Sequence, residues 1–524
     1  MTPPTTEKLN KFAGHAATLA QALHDVGFSP EGLSAALSDD GICALDRGEP
    51  AGVLWALDRA GDAGSTVSEG LRSVIRGVVV GEPAPLREVF GDELTDALVD
   101  CDVLAATESG ELYATIDIRP ITVGETTVFA FSDRDASMRP HIPGRDHVPG
   151  VGRASRSLLD ITPCSPVGSV LDLGGGCGIQ ALGQLSAGSL VVTDISERAN
   201  AFARASLNAA GRVDAEVLTG SWFAPVAGRT FDRIVANPPF VVGPPEVGHV
   251  YRDSGLDLDG ATELLLRQIP DYLAEDGTAH LLGAWVTSDD ESWESRLASW
   301  LPAEGVEAWI VQRDHVDAMT YVGTWLRDES VDPRTEHGRE RMRRWVQHLH
   351  DHGVTGVGFG YITLHAITGP SEVTCEVMPQ ALGGSFAEEA EEFLARSQWL
   401  RHRSADDILD ASFQVRPDVA IEKVELADVE ARQGFEPITA RVCRTDGPRW
   451  SHDTDPGTTA LLGALHPDIP LRVTVELMAE FGAFGDGDGT ERSVGVIVDL
   501  VRHGIVLPTD LVVTEDADEE GMGL

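Results

Sequence analysis

Leu9, Phe12, Ala16, Leu19 and Leu23 recur at helical spacing before Gly27 interrupts them, so residues ~8–80 are expected to be helical. A second unit runs from Val78 to Phe131. Two short helices, Leu86 to Phe90 and Asp92 to Leu98, lead into a strand-like Asp102–Ala106. A polar turn at Glu108-Ser109-Gly110 then opens the alternating run Leu112–Ile118, so the pattern predicts helices followed by a hairpin, a winged-helix-like arrangement. Asp133–Gly152 is rich in Pro, Gly and His and reads as a linker that joins the wall of a site. Strand and helix patterns then alternate, the signature of a doubly wound parallel sheet. Further on come an acidic amphipathic helix, Phe386–Leu400, and mixed strand patterns. Ala460–Val513 reads as helix, helix, strands, the outline of a second winged helix. Glu515–Glu520 is a solvated charge run with no implied partner. The expected division is therefore a helical and winged-helix-like region 1–133, an α/β domain 134–370, and an α+β region 371–524 ending in an acidic tail.

Length supports that division, since 524 residues exceed what one core serves. No run is apolar enough for a membrane helix, and Met1–Glu7 lacks a basic region followed by an apolar core, so a soluble, cytoplasmic protein is expected. The six cysteines form no Cys-x-x-Cys pair, which argues against a zinc ribbon or finger, and no metal is expected. Charge changes the picture more. With 84 acidic and 40 basic residues the chain carries −44, and only Lys8, Lys11 and Lys423 are lysines. Such a field opposes broad coating of DNA but leaves room for a local basic patch to hold an RNA backbone.

The candidate chemistry lies at four successive strand ends. Ser169–Asp172 runs into Leu173-Gly174-Gly175-Gly176-Cys177-Gly178, and a helix is expected over Ile179–Leu185. Glycines let a ligand approach the backbone, where the amides of a helix N-terminus face it. Leu190–Asp194 is a second strand ending in an acid, which can accept hydrogen bonds from both hydroxyls of a ribose. Ala215–Thr219 ends at Gly220-Ser221-Trp222-Phe223, where a polar side chain can meet adenine. Phe231–Ala236 delivers Asn237-Pro238-Pro239-Phe240 to the carboxyl edge of the sheet, where ligands of open α/β sheets bind.

Asn237-Pro238-Pro239-Phe240 is the most informative of these. The nitrogen of an amide or aromatic amine is a poor nucleophile because its lone pair is delocalised. The Asn237 side-chain oxygen and the Pro238 carbonyl can each accept one of its N–H groups, drawing the nitrogen towards tetrahedral geometry and aiming the lone pair. The prolines fix φ, and Phe240 offers a face for stacking.

This set resembles the class I S-adenosylmethionine-dependent methyltransferases, in the branch carrying an Asn-Pro-Pro-aromatic motif. It looks closest to the small-domain methyltransferases and the release-factor glutamine methyltransferases. The resemblance implies a seven-stranded domain with S-adenosyl-L-methionine as cofactor. It implies that the Asp172–Gly178 turn holds the methionine part, Asp194 the ribose, and Ser221 with Trp222 the adenine. Those relatives often carry Asp where this chain has Ser221. The predicted cofactor-binding residues are Asp172, Gly174, Gly176, Gly178, Asp194, Ile195, Ser221, Trp222 and Asn237; the predicted catalytic residues are Asn237, Pro238 and Phe240.

Around this centre, Val241–Pro245 and Tyr251–Gly255 are expected to form a loop at the substrate mouth, with Arg252 placed to hold an anion or to pair with Asp253. His141, His147 and Arg153 are candidates for the opposite wall. The helix Arg334–His352 buries Met342, Trp345, Val346 and Leu349 and spreads Arg339, Arg341, Arg343 and Arg344 over its remainder. Those arginines either grip RNA phosphates or pair with this chain's carboxylates. The first functional reading is methylation of an amino group of an RNA base, with RNA or a ribosomal or translation-factor substrate as partner. The alternatives are a glutamine-amide methyltransferase, for which the resemblance expects Tyr in place of Phe240, a methyltransferase of a small-molecule acceptor, and a non-catalytic S-adenosylmethionine-binding protein.

Overall fold

The computed structural model describes residues 3–62, 67–139, 143–245, 253–329, 331–384, 386–482 and 489–512. Packing divides the chain into two compact units: Met1–Leu159 with Cys164–Val377, and Met378–Leu524 with Asp160–Pro163.

In the first unit the opening apolar stripe lies on two helices, Thr6–Phe12 and Ala16–Asp25, with Leu9, Phe12, Ala16, Leu19 and Leu23 all buried. The helix Leu86–Asp100 is kinked at Gly91, where the sequence divides it. Two antiparallel pairs follow, Leu104–Ala106 with Leu112–Ala114 and Asp117–Val123 with Thr126–Ser132. The alternating run Leu112–Ile118 therefore serves two hairpins instead of one strand. It breaks at Thr115, whose N–H donates to the Val103 carbonyl at 2.9 Å.

An eight-stranded sheet follows. In chain order its strands are β1 Ser169–Leu173, β2 Ser189–Asp194, β3 Glu216–Thr219, β4 Phe231–Ala236, β5 Leu273–Ser288, β6 Glu304–Asp317, β7 Val354–Pro370 and β8 Glu372–Val377. Their spatial order is 3-2-1-4-5-7-6-8. The first five strands are parallel, β7 is antiparallel to both β5 and β6, and β8 is parallel to β6. The expected count of seven is corrected to eight. After Pro370 the chain doubles back and lays β8 along β6, pairing backbone groups that would otherwise form an open edge. The sheet thus continues past residue 370.

Helices α1 Ile179–Leu182 and α2 Glu197–Ala209 follow β1 and β2, while α3 Ala318–Asp328 and α4 Glu336–Asp351 lie between β6 and β7. Helix α1 stops at Leu182, short of the expected Leu185. One face of the sheet shares its core with the N-terminal helices, so Phe12, Phe129 and Phe131 pack in the same cluster as Val192, Phe202 and Ala205. Packing is continuous across residue 133 because the N-terminal helices bury their apolar faces against α2.

In the second unit, helices Phe386–Arg401 and Ala405–Asp410 precede a three-stranded antiparallel sheet of Val419–Ala427, Phe435–Arg444 and Ser451–Thr454. The last part holds three helices, Pro456–Ala464, Leu471–Glu480 and Thr490–Arg502, and one short strand, Val506–Pro508. That strand pairs with Phe413–Val415, far back in the chain, so the described residues of Ala460–Val513 do not close a hairpin of their own. No helix among the described residues is long and apolar enough to cross a membrane.

Candidate active site

Strand order reverses between β1 and β4, which opens a crevice at their carboxyl ends. A cavity of about 660 Å³ occupies it, within the range of small-molecule sites. Gly174, Gly176, Asp194, Ile195, Ser221, Trp222, Asn237, Pro238 and Phe240 all line it.

The glycine turn is shaped by close approach. A Cβ at Gly175 would lie 2.5 Å from the Val192 side chain and 2.9 Å from Asp172 Oδ2, so a side chain there would displace the turn from β2. Gly176 adopts φ 56 and points its N–H at Asp194 Oδ2, 3.0 Å away. The other oxygen of Asp194 accepts the Ser196 N–H at 2.7 Å. Burial pushes the Asp194 carboxyl up, opposed by the N–H groups of Ser196, Gly176 and Ile195. Ile195 next to it keeps 59% of its surface exposed, an apolar side chain held at the cavity wall.

Two predicted cofactor residues lie elsewhere. Asp172 is buried beneath the turn, where its Oδ2 accepts the Ala181 N–H at 2.9 Å and its Oδ1 has no partner among the described residues. Burial raises its carboxyl to about 7; the Ala181 N–H opposes the rise and the charge of Asp194 adds to it. Gly178 packs against Ala203 on α2, 3.2 Å from a notional Cβ. Both shape the turn from behind the wall.

Asn237 follows the last residue of β4, and Pro238 is buried while Phe240 is half-buried against the cluster of Val242, Tyr321 and Trp345. One side of Phe240 thus meets the core and the other meets the cavity. His147 and Arg153 line the cavity, whereas His141 and Arg252 lie outside the described residues, as does Tyr251. The helix Arg334–His352 begins at Glu336, capped by Thr335. Two of its arginines meet carboxylates, Arg341 with Glu329 and Arg343 with Glu340; Arg339 donates to the Arg334 carbonyl, and Arg334, ahead of the helix, pairs with Asp332.

Several positioning residues carried no sequence signal. Asn200 on α2 donates through Nδ2 to the Asp194 carbonyl, the Leu218 carbonyl and Thr219 Oγ1 at 3.2, 3.1 and 2.9 Å, tying the ends of β2 and β3 together. Trp325 and Asp328 of α3 reach the cavity wall. Their spacing along α3 is their sole trace in the sequence, and it does not say which face meets the site.

Residues 149–277 match the family described as the methyltransferase small domain. That match spans 129 of the 524 residues, and methyltransferases of this family use S-adenosylmethionine as cofactor. Residues 391–508 match a domain of unknown function. No protein of curated function matches the chain. Among solved structures, a 16S rRNA N2 methyltransferase of Thermus thermophilus, in complex with S-adenosylmethionine and guanosine, is similar at 18% identity and TM-score 0.27 over 40% of this chain and 58% of that one. A ribosomal protein methylase from Lactobacillus delbrueckii is similar at 25% identity and TM-score 0.19, over 25% of this chain and 58% of that one. The chain thus spans less than two thirds of either.

The cavity of the small domain fits the cofactor's donor and acceptor groups. Asp194 presents carboxylate oxygens for ribose hydroxyls, and Gly174 and Gly176 leave open space above the turn. Ile195 and Trp222 supply apolar surface for a planar ring.

Proposed function

We propose that this protein transfers the methyl group of S-adenosylmethionine to the amino nitrogen of a base in RNA. The observation that carries the reading is the emergence of Asn237-Pro238-Pro239-Phe240 from β4 into the same cavity as Asp194 and the glycine turn. When bound, the cofactor supplies an electrophilic sulfonium methyl. Asn237 Oδ1 and the Pro238 carbonyl oxygen accept the two N–H groups of the target nitrogen, so its lone pair leaves the ring plane and faces the methyl. These contacts strengthen as positive charge develops on nitrogen, which is what accelerates the step. Phe240 stacks on the base and holds its plane. The surplus proton leaves after transfer, and no strong base is required beforehand.

RNA is favoured by the cations at the mouth. Arg145 and Arg153 line the cavity and carry no ion pair among the described residues, in a chain of net charge −44. Each can pair with a phosphate beside the flipped base, although Asp146, Asp253 and Asp328 line the same cavity. The experiment is transfer of radiolabelled methyl from S-adenosylmethionine into a lysate of cells lacking the gene, followed by RNase or protease. Label released by RNase alone is expected. Label released only by protease would replace the base with a glutamine amide, and label confined to small molecules would overturn the RNA reading.

A further inference from the structure

Helix α4 carries His348 and His352 one turn apart, and the fold brings Asp257 to both, although 91 positions separate it from His348. The Nε2 of His348 lies 2.7 Å from Asp257 Oδ1, and the Nε2 of His352 lies 3.8 Å from Asp257 Oδ2. The two imidazole centroids are 4.5 Å apart. One ligand atom from each of the three residues lies within 4.8 Å of the other two, and this is the one such group among the described residues.

A surface ion pair needs one imidazole, not two converging on the same carboxylate. If both rings carried charge they would repel at this separation, whereas a divalent cation takes both as neutral ligands. In His352 the tautomer is already set for that role, whereas His348 Nε2 gives up to the incoming ion the proton it donates to Asp257 Oδ1. His352 Nδ1 lies 2.8 Å from the His348 carbonyl oxygen, which can only accept, so in the neutral ring the proton sits on Nδ1 and the Nε2 lone pair faces Asp257. Tetrahedral zinc with bonds near 2.0–2.1 Å separates its ligands by about 3.3 Å. The observed 2.7 and 3.8 Å lie on either side of that value but run to different oxygens of Asp257, so closing the site turns the carboxylate to bring one oxygen to both rings. Two imidazoles and a carboxylate suit borderline transition ions over calcium or magnesium.

We propose that Asp257, His348 and His352 bind a divalent transition ion of the zinc class, with water completing the coordination. Its place gives it a structural task. The N–H of Leu258, beside Asp257, donates to the Gly243 carbonyl at 2.8 Å, and Gly243 stands three residues after Phe240. Asp253 and Ser254, just upstream, line the cavity. An ion on Asp257 therefore fastens the far end of the substrate-side segment to α4, the helix that already holds its near end through Trp345 and Val242. The site lies outside the cofactor cavity, and its binding can be read without methyl transfer.

The test is titration of the metal-stripped full-length protein with Zn²⁺ by calorimetry and with Co²⁺ by visible absorption. The expected result is saturation at one ion per chain with an absorption spectrum of nitrogen and oxygen ligation. His352→Ala and Asp257→Asn should each weaken binding on the order of 100-fold or more, beyond the loss of an outer partner. His352 and Asp257 are both solvent-exposed, so the variants should fold, and circular dichroism of the metal-free proteins checks this. Absence of saturable Zn²⁺ binding, binding unchanged in both folded variants, or a cobalt–thiolate charge-transfer band revealing a cysteine site would each overturn the proposal.

Discussion

The indole Nε1 of Trp345 donates to the Val242 carbonyl oxygen across 3.1 Å. The Val242 N–H in turn donates to the Tyr321 hydroxyl at 2.6 Å. Both backbone groups of the residue two places beyond Phe240 are thus held by helices that arrive 79 and 103 positions later. The next residue allows this, since a Cβ at Gly243 would lie 2.6 Å from Trp345 Nε1. The loop that presents the proposed acceptor atoms is therefore braced from α3 and α4.

Trp345→Phe removes that hydrogen bond while keeping most of the apolar contact. It should cost about 1–3 kcal/mol of stability, because the buried Val242 carbonyl loses its partner. If bracing positions Asn237 and Pro238, kcat should fall more than KM rises while affinity for S-adenosylmethionine holds. Steady-state kinetics beside calorimetry separates these, and an unchanged kcat would leave Trp345 a purely structural residue.

Asn237→Ala should lower kcat about 10²–10³-fold, the usual loss for one preorganised polar contact to a developing charge. Cofactor binding should persist, because Asp194 and the turn are untouched. Equal loss of binding and turnover would instead place Asn237 in the cofactor site alone.

Asp172 predicts a pH dependence. Its buried carboxyl titrates at about 7 in the fold, against ~3.9 in the unfolded chain. The folded protein holds the extra proton between these values, so this group's contribution to stability is full below ~3.9 and is lost as pH rises towards 7. Asp172→Asn stays neutral throughout. Its stability relative to the parent protein should therefore improve as pH rises from about 4 to about 7 and level off above that. Parallel denaturation curves across that range would show that Asp172 does not titrate there.

Arg198 at the start of α2 pairs with Asp133 through two guanidinium nitrogens, one at 2.8 Å, and also donates to the Pro4 carbonyl at 2.6 Å. Both side chains are buried. Arg198→Ala leaves Asp133 without its counter-charge and should cost about 3–5 kcal/mol. Chemical denaturation measures the loss, and protease sensitivity should rise first in residues 3–62. A cost below about 1 kcal/mol would mean that water replaces the guanidinium as in an exposed pair.

The turn Gly174–Gly178, the acid closing β2 and Asn237-Pro238-Pro239-Phe240 were legible because each is a string of neighbours. A strand, a tight turn and the next helix need specific residues at fixed short spacings, whatever the rest of the chain does. The burial of Asp172 beneath the turn was not legible: position in the string marks it as part of the turn but not which side of the backbone its carboxyl takes. Gly175 stands beside predicted neighbours, yet its requirement comes from Val192 on the next strand.

What the sequence by itself determined is therefore the α/β class of the domain, the bounds of its first four strands to within a residue or so, and the residues that follow their carboxyl ends. Only tertiary structure decided that β8 covers the edge of β6, that the N-terminal helices share a core with the sheet, that Trp345 and Tyr321 brace Val242, and that Asp257 meets His348 and His352. Each of these joins segments far apart in the chain. Hydrophobic period tells which face of an element is buried but not what buries it, and partner choice is settled only when all the faces are packed together.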